Sequence, residues 1–399
     1  MRGFLRSDGR KGIRNVILVA YLVECAHHVA REISQPLRER DVHLVGFPGC
    51  YPNPYALRVM QRLCTHPNVG AVLLVSLGCE GFDRSSLRQA VEASGRPVAT
   101  LVIQETGGTR RTVAAGRAWV DRIRGQLAAA VPVPMGMDEI VVGTICGGSD
   151  GTSGLTANPA IGRAFDLLVA EDAACLFEET GELIGCEQHM AARAATPELG
   201  AEIIRSVAKA ARYYRSLGHG SFAAGNADGG LTTLEEKSMG AYAKSGASRI
   251  VGLLKPGDLP PRGGLYLLDM ISDGEVRFGF PNINDNVEIV DLIACGCHLI
   301  LFSTGRGSVV GSAVSPVIKV CANPDTYRRL NEDMDVDAGR ILEGRGTLDE
   351  IGQEIFHRVR AVASGERTAS EGLGHQEFTL IYKSFEPVGP VCLPIRANA

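Results

Sequence analysis

Ile140-Val141-Val142-Gly143-Thr144-Ile145-Cys146-Gly147-Gly148-Ser149-Asp150-Gly151-Thr152-Ser153-Gly154 is the stretch on which the fold turns. Its first part is a mostly apolar run of strand length, as expected of a strand buried on both faces. Its second part is glycine-rich and polar. From Leu155-Thr156-Ala157-Asn158-Pro159-Ala160-Ile161-Gly162 onward the pattern becomes helical. A strand, a glycine turn and a helix start make a polar pocket, because glycine lets the backbone approach a ligand and free N–H groups attract an anion. A lone glycine loop is more often only a tight turn. Here it carries a thiol, a hydroxyl and a carboxylate in close succession.

Outward from this stretch the strand pattern repeats. Toward the N-terminus, strands are expected at Asn15 to Val23, Val42 to Phe47, Gly70 to Leu77 and Val98 to Ile103, with helical segments between them. Beyond it lie Ala173-Ala174-Cys175-Leu176-Phe177, Ile250 to Leu254, Gly264 to Leu268 and His298 to Phe302. Apolar runs alternating with helices imply an α/β fold of parallel, Rossmann-like sheets with helices on both faces. Val131-Pro132-Val133-Pro134-Met135-Gly136 reads as a linker, so two α/β domains are expected, residues 1–135 and 136–399, the second being catalytic.

The chain has 399 residues, 45% hydrophobic and 22% charged, with a net charge of −4. No basic block stands out, which argues against nucleic acid or an anionic membrane as partner. No run reaches membrane-spanning length and no secretory signal is visible, so a cytoplasmic protein is expected. Eleven cysteines in that setting imply reduced thiols rather than a disulfide scaffold. Cys25, Cys50, Cys79 and Cys146 each fall at or just past the end of an expected strand, the edge where open parallel sheets bind ligands. Cysteine is also a common small core residue, and Cys64, Cys175, Cys186, Cys295, Cys297, Cys321 and Cys392, which lack that setting, are read as such.

Other candidate groups follow strand ends too. Glu80 follows Cys79, and Gln104 opens the turn after the fourth strand. Glu178-Glu179-Thr180-Gly181-Glu182 puts three carboxylates at one strand end, with Glu179 as a helix start or as a base in the pocket. Thr196-Pro197 opens a long helix to Ser216. The glycine-rich segment from Leu217 to Gly230, which includes Asn226, is too long for a simple connection. Lys237 stands among acids at the next helix start, and Arg306 in the turn Ser303-Thr304-Gly305-Arg306-Gly307-Ser308; either could hold a carboxylate.

Several long motifs recur together: Asp8-Gly9-Arg10-Lys11-Gly12-Ile13-Arg14-Asn15, Leu77-Gly78-Cys79-Glu80, Cys146-Gly147-Gly148-Ser149-Asp150-Gly151, Gly154-Leu155-Thr156-Ala157-Asn158-Pro159, Gly229-Gly230-Leu231-Thr232-Thr233 and Phe302-Ser303-Thr304-Gly305-Arg306-Gly307. In these the chain resembles the altronate/galactarate dehydratase family, specifically its large catalytic portion, over residues 3 to about 344. The resemblance implies a lyase that removes water from a 2-hydroxy sugar acid to give a 2-keto-3-deoxy acid, with dependence on ferrous iron. One branch of that family instead releases sulfite from sulfolactate. Fused members carry a small β-rich domain ahead of this portion, which implies either a separate small subunit here or the loss of that part, and further copies of the same chain are expected as partners. Ala227, Gly46 and His27 depart from the residues usual in sugar-acid members.

Elimination needs a base beside the carboxylate, help for the leaving group and a holder for enolate charge. A metal meets the last two needs, and thiolates favour iron or zinc over magnesium. The expected assignment puts iron, as Fe2+ or an iron–sulfur cluster, on Cys25, Cys50, Cys79 and Cys146, or on three of them. Ser149, Asp150 and the N–H groups of Gly147 and Gly148 would hold the substrate's polar end, with Gln104 and Asn226 as further contacts and Lys237 or Arg306 on its carboxylate. Glu80, Glu179 and Lys237 are the candidate bases. A subunit that only binds a sugar acid is the alternative of another class. A dinucleotide enzyme is disfavoured, because no strand runs into a GxGxxG turn followed by an acid at the usual distance.

Overall fold

The computed structural model describes residues 1–178, 180–216, 224–273 and 284–381. β1 (Arg2–Leu5) and β2 (Lys11–Gly12) pair antiparallel at the N-terminus. β3 (Val16–Tyr21), β4 (Val42–Gly46), β5 (Val69–Ser76) and β6 (Val98–Val102) then form a parallel sheet in the order β4-β3-β5-β6. β7 (Val133–Pro134) returns to pair with β1, so the stretch read as a linker completes a small antiparallel ribbon. β8 (Val141–Cys146), β9 (Ala174–Phe177), β10 (Ile250–Leu254), β11 (Gly264–Leu268), β12 (Leu299–Thr304), β13 (Val317–Cys321) and β14 (Val336–Asp337) make a second parallel sheet in the order β10-β11-β9-β8-β12-β13-β14.

The expected α/β architecture of parallel sheets flanked by helices is what forms, and the pleat explains how. Successive strand side chains point to opposite faces. Ile17 and Val19 of β3 pack with the helices Glu24–Ser34 and Thr109–Ala128, while Val16, Leu18 and Ala20 pack with Pro54–Cys64 and Arg84–Ala93. In β12, Leu299 and Leu301 face one core, and Ile300 and Phe302 face the other. The core that holds Leu18 also holds Ile300, so the two sheets share it, with the helix Pro54–Cys64 packed against Asp285–Ala294 and the Tyr55 hydroxyl 2.6 Å from Asp291 Oδ1. Asn53 caps the first of these helices and Asn284 the second.

β13 was not foreseen. Lys319, fully buried in its middle with Nζ 3.4 Å from His375 Nδ1, interrupts the apolar run that marks a buried strand. The strand places Cys321 at its end, correcting the expectation that this thiol lacks such a position. Cys321 is nevertheless a core thiol: burial pushes it up to about 12, and it donates to the Asn323 carbonyl at 3.3 Å. Cys392 lies outside the described residues. Among the described residues no helix is long and apolar enough to cross a membrane.

Asn68 joins the two sheets, accepting from Ile13 N–H and donating to the carbonyls of His298 (2.9 Å) and Val314 (3.1 Å). His298 Nδ1 accepts from Val141 N–H at 3.0 Å and Nε2 lies 2.9 Å from the Lys11 carbonyl, which fixes a neutral ring with Nε2–H as donor. Burial, opposed by the Lys11 carbonyl, lowers its pKa to about 4. Unfolded, the ring takes a proton near pH 6.5. Between the two values the unfolded chain binds more protons, so stability falls as pH drops from about 6.5 toward 4. His298 alone should contribute about 2 kcal/mol of stability loss between pH 7 and pH 5. Urea unfolding at those two pH values should therefore show a shallower pH dependence in His298→Gln than in the wild type; an unchanged dependence would refute the assignment.

Candidate active site

The order of the second sheet reverses at β8: β9, β11 and β10 lie to one side of it, β12, β13 and β14 to the other. In open parallel sheets the carboxyl ends of the strands at such a reversal enclose a crevice. The loops after β8 and β12 are joined there by backbone hydrogen bonds. Gly147 N–H donates to Ser303 O at 3.0 Å, and Arg306 N–H to Gly148 O at 2.8 Å. Gly148 sits at φ +63°, where glycine is favoured. Gly305 has no room for a side chain, since a Cβ there would stand 2.1 Å from Asp150 Oδ1.

Asp150 holds the loop together. Oδ1 accepts from Thr152 N–H (2.9 Å), Thr152 Oγ1 (2.6 Å) and Ser153 Oγ (3.3 Å), and Oδ2 from Asn323 Nδ2 (3.0 Å). The segment 224–230 lies against this loop, with Gly151 N–H donating to Gly229 O at 3.0 Å. In it, Asn226 is buried and its Nδ2 has no hydrogen-bond partner among the described residues. The exposed Arg306 guanidinium donates to the Gly225 carbonyl.

The helix Leu234–Ala243 starts on Thr233, whose hydroxyl accepts from Glu236 N–H at 3.1 Å. This start turns Lys237 inward, leaving it 3% exposed. Its Nζ lies 3.1 Å from Ser149 Oγ and 3.2 Å from Cys146 Sγ, and it pairs with Glu182 Oε2. Ser149 in turn donates to Cys146 Sγ at 3.4 Å, and that sulfur lies 3.5 Å from Glu182 Oε2. Asn158 ties the helix to β12, accepting from Ser303 Oγ (2.6 Å) and donating to Gly240 O (2.9 Å). A cleft of about 280 Å³ opens over this group, with Ser149, Asp150, Ser153 and Lys237 on its polar side and Leu155 and Met239 at an exposed apolar rim.

The loop that delivers Glu182 follows β9. A Cβ on Gly181 would lie 2.1 Å from Tyr214 Cε2, so this ring closes over the glycine. Burial, and then the charges of Glu288, Glu182 and Glu178, hold the Tyr214 phenol well above its ordinary pKa, so it remains a neutral hydroxyl.

The structure thus brings together Cys146, Gly147, Gly148, Ser149, Asp150, Asn226, Lys237 and Arg306. Glu80 and Gln104 belong instead to the carboxyl edge of the first sheet. Glu80 accepts from Ser76 Oγ and from Gly78 N–H (2.8 Å), and the exposed Gln104 follows β6. Cys25, Cys50 and Cys79 are exposed on that same edge. Glu179 lies outside the described residues. Glu182 was not singled out; its only signal was membership of the acidic trio after β9. Among the described residues no group of three or more His, Cys, Asp or Glu side chains is disposed to hold a metal ion. The four cysteines expected to bind iron therefore do not fit as one ligand set, and the proposed chemistry takes no step through a metal.

Residues 137–385 match the family described as D-galactarate/altronate dehydratase, C-terminal, and residues 3–128 match D-galactarate dehydratase/altronate hydrolase, second domain. The chain is 32% identical to (2R)-sulfolactate sulfo-lyase subunit beta of Chromohalobacter salexigens, over 96% of this chain and 97% of that protein. It is 28% identical to altronate dehydratase of Bacillus subtilis, over 96% of this chain and 77% of that protein, and 30% identical to galactarate dehydratase (L-threo-forming) of Escherichia coli, over 92% and 73%. The chain belongs to the D-galactarate/altronate dehydratase family and is a lyase.

Two glycines give opposite expectations. Gly305→Ala forces a methyl group onto Asp150 Oδ1 and should destabilise by about 1–3 kcal/mol. Gly125→Ala, in the helix Thr109–Ala128 with nothing within 4 Å, should stabilise by about 0.5–1 kcal/mol. Urea midpoints shifting in opposite directions would confirm the contrast; a neutral Gly305→Ala would show that the loop is not closed around Asp150.

Proposed function

We propose that this chain eliminates water across C2–C3 of a 2-hydroxy acid, a sugar acid such as altronate or galactarate, to give a 2-keto-3-deoxy acid. The observation that carries this reading is the buried Lys237 ammonium at the foot of the cleft, paired with Glu182 and 3.1 Å from the Ser149 hydroxyl. A substrate carboxylate approaching Lys237 and Ser149 meets a positive charge and a hydroxyl already fixed in place. Both interactions strengthen as the carboxylate gains enolate character, which is where fixed charges and dipoles accelerate a reaction.

Glu182 is the group placed to act as base, being 24% exposed in its side chain while in contact with Lys237. It takes the C2 proton, and the C–H electron pair enters the carboxylate as an enediolate held by Lys237 and Ser149. The pair then forms the C2=C3 bond as the C3–O bond breaks. Glu182 returns the proton to the departing hydroxide, so that water leaves, and the enol product ketonises. The Asn226 amide on the short helix Ala224–Asp228, unpaired among the described residues, and the Arg306 guanidinium in the turn after β12 are suited to the substrate's hydroxyl groups. Asp150, whose Oδ1 is engaged by the loop and whose Oδ2 accepts from Asn323, acts by holding Ser149 and Gly148 in position.

A second reading is favoured by the end-to-end match to the sulfo-lyase subunit: the same proton removal could expel sulfite from C3 of sulfolactate. Sulfite needs no proton to depart, so the first half of the chemistry is shared and only the leaving-group end differs. Anaerobic turnover of altronate, galactarate and sulfolactate, with and without added Fe2+, separates the two when both 2-keto acid and free sulfite are read. Keto acid without sulfite is the expected result, and sulfite would establish the second reading in its place. Lys237→Ala should lower kcat/KM on the active substrate by about 10²–10⁴-fold, with Lys237→Arg retaining more activity. Wild-type activity in Lys237→Ala would sink the assignment.

A further inference from the structure

Two lysines and two aspartates form a closed cluster at the carboxyl ends of β10 and β11, and the chemistry above does not use it. Asp269 follows β11 and is buried. Its Oδ2 accepts from Lys209 Nζ and from Lys255 Nζ, each at 2.6 Å, and its Oδ1 accepts from Ile271 N–H at 3.2 Å. Asp273 Oδ1 accepts from the same two ammonium groups at 2.8 and 2.9 Å, and Lys209 Nζ also donates to Ile271 O at 2.6 Å. A carboxylate taken out of water is tolerated only with such partners. They come from three places: Lys209 from the helix Pro197–Ser216, Lys255 from the end of β10, and the aspartates from the loop after β11. The cluster therefore ties that helix to the sheet edge.

Beyond Lys209 on the same helix, Ala210, Tyr213 and Tyr214 share a face and pack with Met270 and Ile271 of the tied loop in one buried cluster. The Tyr214 ring then reaches the loop after β9. A Cβ on Gly181 would stand 2.1 Å from its Cε2 and 2.7 Å from its Cζ, so the ring fills the space beside that backbone. Gly181 is bonded to Glu182. The same loop is held from the sheet by Thr180 Oγ1, which donates at 3.3 Å to Leu268 O, next to Asp269. On the far side of Glu182, Leu183 is buried in the core. Between residues 180 and 183, Glu182 is thus the partly exposed side chain in a stretch of backbone clamped at both ends.

We propose that Tyr214 and Lys209 are positioning residues for Glu182. The lysine–aspartate cluster sets the helix, the helix sets the Tyr214 ring, and the ring sets the loop from which Glu182 reaches Lys237. This role rests on the reading of Glu182 as the base. Lys237 and Ser149 hold the substrate carboxylate from other segments, so displacing Glu182 slows proton removal without weakening binding. Misplacing a reacting group by about 1 Å costs on the order of 10²-fold in rate. The ring atoms nearest Gly181 are carbons, so the bulk of Tyr214 carries the role and its hydroxyl does not.

Tyr214→Ala, Tyr214→Phe, Lys209→Met and Lys209→Arg are compared with the wild-type full-length chain in two ways. One is turnover of whichever of altronate, galactarate and sulfolactate the wild type accepts, and the other is amide hydrogen exchange without substrate. Tyr214→Ala and Lys209→Met should lower kcat about 10–100-fold with KM within about 2-fold, and C2-deuterated substrate should show a larger isotope effect. Their exchange should rise at residues 180–186 while β5 stays as protected as in the wild type, which shows that the fold is intact. Tyr214→Phe and Lys209→Arg should retain most of the activity. Unchanged exchange at 180–186 in Tyr214→Ala would overturn the proposal whatever the substrate. So would a Tyr214→Phe variant as impaired as Tyr214→Ala. Glu182→Gln separates this role from the reading beneath it. If Glu182→Gln is fully active, the base is misassigned and the positioning role falls with it; if it is inactive while Tyr214→Ala turns over like the wild type, only the positioning role fails.

Discussion

An ammonium as deeply buried as that of Lys237 stays charged only with partners in hand, because removing a lone charge from water costs several kcal/mol. Its partners come from two strand-end loops: Glu182 from the one after β9, Cys146 and Ser149 from the one after β8. The lysine itself arrives on a helix 91 positions beyond Cys146. Three segments must therefore meet at one nitrogen, and the surrounding features serve that meeting. Asn158 fixes the helix to β12, Asp150 closes the loop after β8, and Tyr214 closes over Gly181 beside Glu182. A pair of well-packed apolar side chains could fill the same space at no loss of stability. Retaining the charge is better explained by what it binds than by what it stabilises.

Most of the architecture was legible in the sequence because a strand covered on both faces must be apolar throughout. β5, in which every residue is buried, and β12 announced themselves in this way. Helix starts were legible where the cap chemistry is local, as at Thr196-Pro197. β13 was hidden because Lys319 breaks its pattern, and that lysine is tolerated only through partners such as His375 that lie far away in sequence. The short strand β7 was hidden inside a proline-rich stretch whose partner, β1, lies at the other end of the unit.

The site was legible to the extent that it follows strand ends. The loop 146–154, Lys237, Asn226 and Arg306 do come together, since parallel strands carry their carboxyl ends to one edge. Sequence could not show which edge. Cys79-Glu80 and Cys146-Gly147 look alike as strand-end turns, yet one pair closes the first sheet and the other the second. Nor could it separate an acid that holds a loop from one that meets substrate. Asp150 and Glu182 differ only in their donors, and every one of those donors except the immediate neighbours of Asp150 is distant in sequence.

The crevice at β8 and β12 also divides into a fixed floor and an exposed rim. In the proposed reaction, proton removal and carboxylate binding both use its floor, where Lys237, Ser149 and Glu182 are held by buried contacts. Above that floor the cleft is rimmed by Leu155, 62% exposed, and Met239, 47% exposed. Exposed rim residues change at small cost in stability, while a change at the floor strands a buried charge. A substitution at the rim can therefore alter what the cleft admits while the buried group beneath it stays intact.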